Sequence, residues 1–164
     1  MANQELVSKL SRVADNEMFL AEAYTWQSAA VRGKAPFWVT EVLPSMAMND
    51  LLRATIVTNV LACLGCTYQC SGSRSGQLVF GDDPAGMYRF DRKKIRETIG
   101  LCDEVLELYR AEPVWGCLVQ EVVKELRREQ ESQYDMLGML LDQAEHRGGG
   151  SADGVPQGPG GPAR

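Results

Sequence analysis

Three cysteines within eight residues, Cys63, Cys66 and Cys70, form the densest group of chemically versatile side chains in this 164-residue chain. Successive helical residues turn by about 100°, so spacings of three and four would put these sulfurs within about 60° of one another. A shared face of sulfurs suits a soft metal ion or a dithiol couple. Cys102, on the apolar face of a later segment, is a candidate fourth ligand. Free cysteine is also a small apolar packing residue, and the surrounding run is apolar, which favours core packing over a reactive site. No cofactor is expected.

A second group is polar and interrupts apolar stripes. Glu17 lies near the centre of the first stripe, and Glu129, Gln130 and Gln133 break the last one between Leu126 and Leu137. Each sits near the middle of its helix, so antiparallel packing would bring them level. A buried carboxylate without a partner is costly or takes up a proton, so Glu17 is expected to find an amide. The expectation is a hydrogen-bonded layer that fixes helix register, or a partly solvated groove. A third group, Arg89, Arg92, Lys93, Lys94 and Arg96, is basic. If a helix starts at Asp91, four of these five fall in its first turns, where the macrodipole disfavours cations. Such a start suits an anion, a phosphate or an acidic partner surface. Asp82, Asp83, Asp91 and Glu97 nearby offer the alternative of a balanced, solvated face.

Three known families share parts of these patterns. Cys63-Leu64-Gly65-Cys66 with Cys70 resembles the helical Cys-x-x-Cys-x-x-x-His of AhpD-like thiol peroxidases over eight residues. Cysteine stands at 70 where that family has histidine, and no acidic residue occupies the usual upstream position. The inward carboxylates invite comparison with ferritin-like di-metal bundles, which need Glu-x-x-His pairs. This chain has none, and its single histidine, His146, closes the last helix. Phe80 to Asp91 resembles the sheet-to-helix junction near bound RNA in rod-shaped plant-virus coat proteins, although no signature residue beyond it matches. That resemblance implies a coat-like, nucleic-acid-binding role for the basic cluster.

All three groups depend on helices to present them. Leu6, Leu10, Val13, Leu20 and Tyr24 recur at helical spacing and predict a first helix from about Gln4 to Val31. Gly33 and Pro36 break it, and Phe37-Trp38-Val39 reads as a short connector. A second helix spans about Ser45 to Cys70; it is apolar all round in its later half and is expected to be central, wrapped by the others. Leu78-Val79-Phe80 and Met87-Tyr88-Arg89-Phe90, flanking Gly81 to Gly86, read as a small β-hairpin. Asp91 would cap a third helix to about Ala111, and Pro113 would open a fourth to about Arg147. The fold class expected is therefore all-α, a four-helix bundle-like domain over residues 1–147. Residues 148–164, ten of them Gly or Pro, predict a disordered tail.

Composition narrows the functional classes. An apolar content of 45% and a formal charge of −5 fit a globular domain and exclude a protein whose whole surface grips nucleic acid. The twenty residues between Arg53 and Arg74 carry no charge and match a bilayer in length, but seven polar side chains interrupt them, so no membrane span is expected. An odd cysteine count and the lack of a charged-then-apolar leader point to a reduced cytoplasm. Ser71 to Gly76 lacks the Gly-Lys-Ser/Thr ending of a phosphate loop. A lone histidine leaves no Ser-His-Asp or Cys-His set. The reading that remains is a non-catalytic helical protein that binds macromolecules, including its own copies. A first helix of about 42 Å, with Tyr24, Trp26, Phe37 and Trp38 gathered at its far end, supports self-association. The alternatives are a thiol redox or soft-metal protein using Cys63, Cys66 and Cys70, and a nucleic-acid-binding structural protein using Arg89 to Arg96.

Overall fold

The structure, a computed structural model, describes residues 4–33, 35–69, 83–109 and 116–148. These are 90% helical, with no strand among them. The helices are α1 (Gln4–Ala30), α2 (Phe37–Cys63), α3 (Pro84–Tyr109) and α4 (Gly116–Gly148). The chain is an all-α four-helix bundle.

One repeat runs through all four helices. The buried positions of α1 fall at Leu6, Leu10, Val13, Glu17, Leu20, Tyr24 and Gln27, alternating steps of four and three. On α3 the series is Tyr88, Asp91, Ile95, Thr98, Cys102, Val105 and Tyr109. On α4 it is Val119, Val123, Leu126, Gln130, Gln133, Leu137 and Leu140. A 3.5-residue spacing keeps a seam facing the bundle axis along a whole helix, as in coiled coils. Polar residues occupy several seam positions, and they divide the core in two. One hydrophobic cluster gathers Leu20, Tyr24, Leu43, Met87, Ile95 and Leu137. The other gathers Leu10, Val13, Val57, Leu61, Val105 and Leu126 at the opposite end.

Cross-helix pairs give the topology. Lys9–Glu104 and Gln27–Asp91 set α1 antiparallel to α3. Arg89–Glu145 and Arg127–Asp103 do the same for α3 and α4. α1 packs along α2, antiparallel to it, and α2 meets α4 along a sparser seam. α1 and α4 therefore lie diagonally and point the same way, as do α2 and α3. α2 ends at the opposite end of the bundle from the start of α3.

The helix ends depart from the sequence expectations for identifiable reasons. α2 begins at Phe37, taking in the expected connector. Pro36 is its N-cap residue, where a missing N–H costs no helical bond, and Pro44 is carried within the helix. α2 stops at Cys63, short of Cys70. Gly65 adopts φ +76, its N–H donates to the Ala62 carbonyl, and the Cys66 N–H donates to the Leu61 carbonyl, both at 2.9 Å. This is a Schellman ending, which glycine accepts without a Cβ clash. α3 begins at Pro84 rather than Asp91. Proline suits a first helical position, and the Asp83 carboxylate lies over the first turn, where a Cβ on Gly86 would come within 2.5 Å of Oδ2. Met87 to Phe90, expected as a strand, is thus helical; Tyr88 belongs to the α3 seam, and Met87 is fully buried. The other expected strand, Leu78 to Phe80, and the expected tail beyond Gly148 lie outside the described residues.

The expected wrapping of α2 is partial. α1 covers one side of it, but Leu51, Leu52 and Ile56 remain 43%, 55% and 43% exposed. No helix among the described residues is long and apolar enough to cross a membrane.

Candidate functional site: a buried polar layer beneath an open apolar face

Arg53 holds the centre of the bundle. Its guanidinium is buried; Nε donates to Oε2 of Glu17 at 2.9 Å, Nη1 reaches Glu129 at 3.5 Å, and Nη2 contacts both Asp50 and the Gln133 carbonyl oxygen. Gln130 Nε2 donates to the second oxygen of Glu17 at 2.7 Å, and Gln133 Nε2 donates to Asp50 at 3.1 Å. One arginine thus faces two fully buried carboxyls, with Glu129 at the rim half exposed. Burial pushes Glu17 up to about 7, against the opposing pull of Arg53 and the Gln130 amide. The layer can exchange a proton near neutrality, and it locks three helices at one level.

The structure brings Glu17, Glu129, Gln130 and Gln133 to that level and adds Asp50 and Arg53, which sequence reasoning missed. In the sequence Arg53 marks only the boundary of an uncharged run, although Asp50 and Arg53 share the 39-43-46-50-53-57 seam of α2. Two i, i+3 pairs, Asp50-x-x-Arg53 and Gln130-x-x-Gln133, meet across α2 and α4. Carboxylate di-metal bundles space Glu-x-x-His in the same way. Here a guanidinium supplies the central positive charge, and no group of three His, Cys, Asp or Glu suited to a metal occurs among the described residues.

A second polar contact lies ten residues further along α1, about 15 Å away. Gln27 Nε2 donates to Oδ2 of Asp91 at 2.8 Å, while Oδ1 of Asp91 and Oε1 of Gln27 are buried with no hydrogen-bond partner. Burial raises Asp91 to about 7. Asn16 donates to the Thr98 hydroxyl at 3.1 Å between the same two helices.

The thiols are dispersed. Cys63 is exposed at the last position of α2, Cys66 is half-buried beyond the Gly65 turn, and Cys70 lies outside the described residues. With the helix ended, Cys63 and Cys66 do not share one helical face. Cys102 is in the core, and burial pushes its thiol up to about 12.

The basic cluster sits in the second to fourth turns of α3, not at its start, so the macrodipole argument does not apply to it. Arg89 pairs with Glu145 at 2.6 Å and Lys94 with Glu97 at 3.0 Å. Arg92 and Arg96 both lie over the Tyr134 ring, at 4.0 and 5.1 Å from its centroid. Lys93 is exposed.

Among the described residues, five of the seven exposed large apolar side chains (Trp38, Met48, Leu51, Leu52 and Ile56) lie on α2. Asp50 and Arg53 are buried, which leaves Glu41 as the only exposed charge on this 27-residue helix. Met48, Leu51, Leu52 and Ile56 form an exposed ridge. A groove of about 710 Å³ flanks the ridge toward α4, floored by Arg53 and Gln133 and walled by Leu52, Ile56 and Met136. A second, of about 400 Å³, flanks it toward α1 between Trp26, Met48 and Leu51. No family model and no curated protein matches this chain.

Proposed function

We propose that this chain is a non-catalytic helical interaction protein that docks a macromolecular partner on the outer face of α2 and its flanking grooves. The observation that carries the reading is the uncovered ridge Met48, Leu51, Leu52 and Ile56 on a helix with a single exposed charge. A helix that is apolar all round is normally buried on every side. Contiguous exposed apolar surface of this kind marks interaction sites in soluble proteins. The buried layer beneath it supports the same reading, because a fixed helix register keeps both grooves preformed for docking.

A photo-reactive amino acid placed at Leu52 in cells tests this, with Arg128, 73% exposed on α4, as the control position. Docking on α2 predicts covalent adducts from position 52 and none from position 128. No adduct at 52, or equal labelling at both positions, would overturn the reading.

A further inference from the structure

The geometry points to a second copy of this chain as the occupant of the α2 face, packed antiparallel across a two-fold axis through Leu52. The inference rests on the docking reading above and names its partner. Charge selects the occupant first. An anionic partner surface would lose its hydration against α2 and meet only the carboxylates of Glu41 and, at the groove rim, half-exposed Glu129. The other three helices of the molecule are laced with exposed ion pairs, such as Lys9–Glu104, Arg89–Glu145 and Arg127–Asp103. Among the described helices, only α2 presents a face that matches α2.

Shape agrees with charge. An apolar ridge with a groove on each side is self-complementary, since the ridge of one copy fits a groove of the other. The 27 residues of α2 extend about 40 Å. A strip of that length and about 20 Å width, taking in the edges of α1 and α4, approaches the ~800 Å² per partner of a stable dimer.

Orientation follows from Glu41. Parallel pairing would set the two Glu41 carboxylates side by side. Antiparallel pairing centred on Leu52 sets Met48 over Ile56 of the second copy and Glu41 opposite Cys63 of the second copy. The two Glu41 residues then stand about 33 Å apart, several times the ~8–10 Å Debye length.

Two measurements on the purified full-length chain test this. Sedimentation across micromolar to submillimolar concentration is expected to approach twice the 18.1 kDa monomer mass. Leu52→Glu combined with Ile56→Glu is expected to return the protein to monomer with helical content unchanged and a melting temperature matching that of wild type diluted to its monomeric form. Glu41→Cys is expected to form an intermolecular disulfide with native Cys63, lost when Cys63→Ser is added; within one chain the two positions are too far apart to bridge. A monomer at every concentration, or a dimer unaffected by the paired glutamates, would overturn the inference. If the isolated protein is monomeric while position 52 still forms cellular adducts of another mass, the second copy is excluded and the docking reading stands. Absence of both would end both.

Discussion

Arg53 Nε donates to Glu17 Oε2 at 2.9 Å across the centre of the bundle, and each side chain is at most 5% exposed. Removing one partner from such a pair leaves an uncompensated buried charge, which costs about 3–5 kcal/mol, whereas replacing the whole group by apolar side chains is often neutral. Arg53→Met is therefore expected to lower the urea midpoint sharply. Adding Glu17→Leu, Asp50→Leu, Gln130→Leu and Gln133→Leu to it should recover most of the loss. A single Arg53→Met with a wild-type midpoint would show that the arginine does not hold the layer together.

Stability should fall as pH rises through neutrality. Glu17 and Asp91 both titrate near 7 when folded, above the ordinary 4.5 and 3.8. The folded state therefore binds protons that the unfolded state has released, and stability declines from about pH 4 to about pH 7, then levels off. A protonated Asp91 can donate from Oδ1 to Oε1 of Gln27, giving both unpartnered atoms a bond and closing an acid–amide pair. Asp91→Asn can close the same ring at any pH. Urea titrations at pH 5, 6, 7 and 8 should show a shallower decline for Asp91→Asn and a higher midpoint than wild type at pH 8. A wild-type protein equally stable at pH 5 and 8 would contradict the assignment.

Thiol reactivity should divide by burial. Cys63 and Cys117 are exposed, while Cys102 is in the core with its thiol raised to about 12. A chromogenic disulfide reagent should modify the first two in the native protein and reach Cys102 only after denaturant is added. Mass spectrometry of the labelled peptides checks this, and fast native labelling of Cys102 would mean that the core opens there.

Two glycines should respond oppositely to alanine. Gly65 has φ +76 at the end of α2, so Gly65→Ala should cost about 1 kcal/mol. Gly100 lies within α3, and a Cβ there would meet nothing within 4 Å, so Gly100→Ala should stabilise by about 0.5–1 kcal/mol. Thermal melts of the two variants should move in opposite directions.

Much of the fold was legible because apolar stripes mark α1 and α4: α1 runs Gln4–Ala30 against the expected Gln4 to Val31, and α4 ends at Gly148 against about Arg147, although it starts at Gly116 rather than Pro113. The less legible parts share a physical cause. Asp91 and Thr98 occupy seam positions of α3, so an eye following apolar residues alone does not extend the repeat back to Tyr88. Asp83-Pro84 then reads as a turn, although proline at a first helical position is favourable. On α2, Pro36 reads as a break, while the true stop at Gly65 lies inside an apolar run. The polar group around Glu17 was visible because carboxylates and amides interrupt clear stripes. Arg53 was not, because its acceptors lie on three different helices and only the folded chain brings them together.

Carbene footprinting across a dilution series probes the exposed α2 face most directly. Leu51, Leu52 and Ile56 should label strongly in dilute protein and lose label as assemblies form, while Arg128 keeps its label throughout. Weak labelling of those three residues in the dilute monomer, or labelling that never changes with assembly, would contradict α2 as the docking surface.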